Sequence, residues 1–167
     1  MKTSPVITNN FHTQNTSFEI ELHLDENITF ICGEAGSGKS LMFSVIKEYA
    51  AEDKRIKCYN YLDQNKSYKS AIRQSKGKLF VIDNADILLD DNIRSFIAFD
   101  DKNQYIIIGR NPTGLLLSMD EIYELESSNA GDITRFTLKK SFWNIDTERK
   151  KLYQGNAPRY GCFVSHS

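Results

Sequence analysis

The sequence predicts an α/β fold with a mostly parallel central sheet, and three observations carry the prediction. Strand patterns alternate with helix patterns through the middle of the chain, as in βαβ units joined by right-handed crossovers. Two runs, Leu79-Phe80-Val81-Ile82 and Tyr105-Ile106-Ile107-Ile108, lack the alternation of a half-exposed strand and need cover on both faces. The third observation is a glycine-rich loop between a strand pattern and a helix pattern, Gly33-Glu34-Ala35-Gly36-Ser37-Gly38-Lys39-Ser40.

The elements follow in chain order. Residues 1–16 are polar and read as a loose lead-in. Phe18-Glu19-Ile20-Glu21-Leu22 alternates apolar and polar, the pattern of a strand open to water on one face. Asp25-Glu26-Asn27 is a turn, and Ile28-Thr29-Phe30-Ile31-Cys32 is the buried strand that feeds the loop. Residues 41–51 place Met42, Val45, Ile46 and Tyr49 on one helical face. A third strand is predicted over 55–62 and a short helix over 67–74, with Gly77 as a breaker before the strand 79–82. Asp90-Asp91 caps a helix whose Ile93, Phe96 and Ile97 face the core. A loop at 100–103 leads to the strand 104–108, and a short helix is predicted near 113–119. Strands over 122–125 and 133–138 flank a turn at Gly131-Asp132.

The 167 residues suffice for one domain with a real core. The expected organisation is a lead at 1–16, a main domain at 17–140 and an extension at 141–167. In the extension Arg149, Lys150, Lys151 and Arg159 are interleaved with Phe142, Trp143, Tyr153 and Tyr160. It reads as a solvated tail, with partner or nucleic-acid binding as the alternative. A net charge of −1 gives no whole-chain support for nucleic acid or a membrane surface. With no secretory signal at the start and no apolar run of bilayer length, a cytoplasmic protein without a membrane span is expected. Cys32, Cys58 and Cys162 have no metal-binding spacing, and Cys32 and Cys58 are expected as reduced thiols packed in strands.

Chemistry concentrates in the loop, which matches G-x-x-x-x-G-K-[ST] completely. Glycines let the backbone curl with its N–H groups inward, and the following helix adds the positive end of its dipole. Residues 33–41 are therefore the expected triphosphate cradle, running from Gly33 through Leu41. Lys39 reaches the β/γ-phosphates in such a loop, and the Ser40 hydroxyl holds Mg²⁺. The loop follows the carboxyl end of a strand, where ligands of parallel sheets bind.

Three segments, 33–40, 79–86 and 104–111, together resemble the core of an additional-strand P-loop ATPase, most like the AAA+ group. The resemblance implies a three-layer αβα P-loop NTPase fold, with extra antiparallel strands at the N- and C-terminal ends. It implies ATP and Mg²⁺ as ligands. Leu79-Phe80-Val81-Ile82-Asp83 resembles the Walker B motif, in which Asp83 would hold Mg²⁺ through a water; the alternative is a strand ending in a helix-capping acid. The family commonly has Glu next, to polarise the attacking water, whereas this chain has Asn84. An amide positions water but takes no proton, which leaves Asp86 as the substitute carboxylate. Arg110, with Asn111, stands where the family places a polar sensor of the γ-phosphate. Its alternative is an ion pair at the strand end.

No Leu-Ser-Gly-Gly-Gln signature precedes Asp83, no Asn-Lys-x-Asp motif follows a strand, and no helical lid follows Leu138. ABC-transporter, Ras-like and motor-ring readings are thereby disfavoured. The expected function is an ATP-binding protein with weak or partner-stimulated ATPase activity, coupled to a protein partner. The alternatives are a non-hydrolysing, nucleotide-bound interaction module and a small kinase.

Overall fold

The computed structural model describes residues 5–33, 36 and 38–141. Glu34, Ala35, Ser37 and the extension from residue 142 onward lie outside the described residues. The elements are β1 (Asn10–Gln14), β2 (Phe18–His23), β3 (Ile28–Cys32), α1 (Lys39–Ala50), β4 (Ile56–Tyr59), α2 (Tyr68–Gln74), β5 (Leu79–Ile82), α3 (Ala85–Leu88), α4 (Asp91–Phe99), β6 (Gln104–Ile108), β7 (Ile122–Ala130) and β8 (Ile133–Lys140).

All eight strands join one sheet in the order β1-β2-β8-β7-β3-β6-β5-β4. Parallel ladders link β4, β5, β6, β3 and β7, and β2 with β8; the pairs β1–β2 and β7–β8 are antiparallel. The expected three-layer αβα P-loop fold with a mostly parallel sheet is overturned. The sheet is mixed and curls into a half-barrel, and helices make up only 28% of the structure.

Packing gives the reason. On one face α2, α3 and α4 supply Ile72, Leu88, Ile93 and Ile97 against Phe30, Phe80 and Tyr105. On the other face α1 is the only helix among the described residues, with Met42, Phe43, Val45 and Ile46. The helix is 12 residues long and buries four side chains. The sheet wraps α1, bringing Phe11, Ile20, Leu22, Leu125 and Phe136 onto the same cluster. Burying this apolar surface favours curvature over a flat sheet, at roughly 25 cal/mol per Å² removed from water.

Local expectations fare unevenly. The two apolar runs do lie in the sheet interior, with every residue of β5 and β6 buried. The strand β6 sits between β3 and β5 in parallel register. The lead is not wholly loose: β1 pairs with β2, and Gln104 Oε1 accepts the Ile7 and Thr8 N–H groups. The strand over 55–62 is shorter than predicted, ending at Tyr59 before a 3-10 turn at Tyr61–Asp63. No α-helix forms near 113–119, because Gly114 (φ 88°) and Leu116 (φ 58°) are left-handed. Cys58 is a free thiol whose burial pushes its pKa up to about 12. Cys32 is fully buried in β3. No helix among the described residues is long and apolar enough to cross a membrane.

Candidate functional site

Register assembles the site. Ile31 pairs with Ile108 and Ile82 with Ile107, so β3, β5 and β6 end along one rim of the sheet. Gly33, Asp83 and Gly109 follow those ends directly. A cleft of about 180 Å³ opens there, lined by Gly33, Lys39, Ser40, Asp83, Asn84, Asp86, Ile108, Gly109 and Arg110. The three separated segments singled out in the sequence thus meet at one place.

The loop enters α1 through Gly38, whose φ of 94° is left-handed. Its carbonyl accepts the Met42 N–H at 2.9 Å. A Cβ there would stand 2.7 Å from Phe136 Cε1 of β8, so both backbone angle and space require glycine. Lys39 is half-buried, and its Nζ donates to the Gly33 carbonyl at 2.5 Å, holding the ammonium across the loop. Ser40 is exposed on the cleft and Leu41 is exposed on the first turn of α1. Gly36 is exposed and left-handed. The roles expected of Glu34, Ala35 and Ser37 fall outside the described residues.

Asp83 is buried at 8% exposure. Burial pushes its carboxyl above the ordinary value of 3.8, opposed by the Asn84 N–H, which donates to Oδ1 at 2.8 Å, and by the charge of Lys39. Such an acid favours a cation or a proton beside it. Among the described residues no group of three or more His, Cys, Asp or Glu side chains could hold a metal. Magnesium in phosphate sites needs less, since one or two protein ligands are completed by phosphate oxygens and water. Ser40 and Asp83 fit that donor set.

Asn84 is left-handed (φ 54°, ψ 43°), a conformation that Asn tolerates better than most residues. Its Oδ1 accepts the Tyr61 N–H at 3.2 Å, tying β5 to the turn after β4. Asp86 is also engaged. Its Oδ2 accepts the Arg110 N–H at 2.9 Å and its Oδ1 the Asn111 N–H at 3.0 Å. The carboxylate expected to activate water therefore anchors the loop after β6. Arg110 is exposed at the cleft, and its guanidinium makes no ion pair among the described residues, so the ion-pair alternative loses support.

Sequence reasoning missed Arg94. It lies in α4 at 5% exposure, beside Asp86 at 3.6 Å. Its guanidinium donates to the carbonyls of Leu89, Asn111, Thr113 and Ala85. Burial lowers its pKa, opposed by Asp86 and Asp91. A signal existed: an arginine interrupts the apolar helical face of Ile93, Ile97 and Ala98.

No family model, curated protein or solved structure matches this chain.

Proposed function

We propose that this protein binds Mg²⁺-ATP at the carboxyl rim of its sheet and uses nucleotide state to control an interaction with a protein partner. One observation carries the reading. Gly33, Lys39 and Ser40 of the G-x-x-x-x-G-K-S loop share a cleft with Asp83, directly after β5, and Arg110, the second residue after β6. Main-chain N–H groups of the loop and Lys39 would take the phosphates. Ser40 and Asp83 would hold Mg²⁺, which supplies charge neutralisation between the phosphates. Arg110 would meet the γ-phosphate.

Hydrolysis on this reading is weak or dependent on a partner. A specific observation favours the still simpler alternative of a module that barely hydrolyses: the Asn84 amide oxygen and both Asp86 oxygens are already committed to main-chain N–H groups. Neither is poised to accept a proton from water.

The test is nucleotide binding by calorimetry with and without Mg²⁺, comparing wild type with Lys39→Ala. Loss of a charge-assisted phosphate contact costs about 2–4 kcal/mol, so ATP affinity should fall by at least about thirtyfold. Equal affinity in a folded Lys39→Ala protein refutes the proposal.

A further inference from the structure

We infer that Arg94 is a positioning residue that presets the γ-phosphate wall of the cleft and so decides how strongly the protein distinguishes ATP from ADP. The inference rests on the nucleotide-binding reading above. Arg94 is not among the residues lining the cleft, and it pairs with one that is, Asp86; it acts through the loop after β6.

Two segments form that wall. One follows β5 and carries Asn84, Ala85 and Asp86; the other follows β6 and carries Gly109, Arg110 and Asn111. The Arg94 fork bonds to both. Nη2 donates to the Ala85 carbonyl at 3.4 Å and Nε to the Leu89 carbonyl at 3.0 Å, on the first segment and the turn after α3. Nη1 donates to the Asn111 carbonyl at 2.5 Å and the Thr113 carbonyl at 2.8 Å, on the second. Asp86 closes the unit by accepting the Arg110 and Asn111 N–H groups while facing the guanidinium. Asn111 Oδ1 accepts the Thr113 N–H at 3.0 Å and so stiffens the loop further.

A planar guanidinium with five N–H donors can bridge carbonyls on separate segments, whereas a lysine ammonium is a single point. Burying such a charge is costly unless it is bonded throughout. Here the bonds go to the backbone that carries Arg110. The loop is thereby held before ligand arrives, and a preorganised contact loses less entropy on binding. ADP lacks the γ-phosphate, so its affinity should be indifferent to this wall.

The experiment compares wild type, Arg94→Lys, Arg110→Ala and the double variant for Mg²⁺-ATP and Mg²⁺-ADP affinity. It adds amide hydrogen exchange of the nucleotide-free proteins. Arg94→Lys should weaken ATP about tenfold and ADP less than about twofold, and add nothing in the Arg110→Ala background. The Arg110 and Asn111 amides should exchange faster in Arg94→Lys. Equal losses for ATP and ADP, full additivity, or unchanged exchange each overturn the inference. Arg94→Gln, which drops the buried charge but keeps donors, makes the same comparison if Arg94→Lys fails to fold. A wild type that binds neither nucleotide overturns the function proposed above. The exchange comparison needs no nucleotide and still decides whether Arg94 holds the loop.

Discussion

Replacing Gly38 with alanine should cost far more than the same change at Gly36, although both glycines are left-handed. At Gly36 (φ 88°) a Cβ meets nothing within 4 Å, so the cost is backbone strain alone, about 1–2 kcal/mol. At Gly38 (φ 94°) the Cβ would stand 2.7 Å from Phe136 Cε1 and 3.3 Å from Cζ. The ring has no room to yield: Phe136 is 2% exposed and stacks on Phe18 at 6.1 Å. Overpacking of this kind adds about 1–3 kcal/mol, giving about 2–5 kcal/mol in total against a typical domain stability of about 5–15 kcal/mol. Urea denaturation of wild type and both variants measures the difference. A Phe136→Leu background should recover part of the Gly38→Ala loss, because the clash is with the ring. Equal losses at the two glycines, or no recovery, would refute the contact between β8 and the loop as the cause. The same displacement should weaken ATP binding in Gly38→Ala, since the loop enters α1 at this residue.

Three further outcomes follow from the acid and amide beside the loop. Asp83 has a raised folded-state pKa, so the folded protein binds its proton more tightly than the unfolded chain. Its contribution to stability is therefore greatest below about pH 4 and declines as pH rises through the raised value. Asp83→Asn should gain stability relative to wild type as pH increases from about 4 to 7 while Mg²⁺-dependent ATP binding weakens; denaturation across that range checks it, and a relative loss toward neutral pH contradicts it. Asn84→Glu should lose about 1–3 kcal/mol, from left-handed strain and the broken bond to the Tyr61 N–H, whereas Asn84→Asp, which retains an acceptor there, should lose less. Wild-type turnover should lie well below the roughly 1–10³ s⁻¹ of most enzymes, and brisk phosphate release would show that some other group activates water.

Most of the residues that line the cleft were legible from local sequence, because they lie in short contiguous patterns. Glycines at fixed spacing, a lysine and a hydroxyl at the helix start, and an acid closing the run 79–82 are contiguous features. The apolar composition of that run and of 104–108 also determined that both strands are interior. Tertiary structure alone decided the roles of Asn84 and Asp86. Both hydrogen-bond to main-chain groups more than twenty residues away, and no spacing rule announces such partners. It likewise made Arg94 a buried tie between two loops rather than a surface charge. The sheet's curvature was the largest departure. A sequence pattern registers which residues are apolar but not how many helices are available to cover each face. Where α1 is the only helix among the described residues, the long β7–β8 hairpin and the β1–β2 ribbon bend over it and bury Phe136, Ile20 and Phe11.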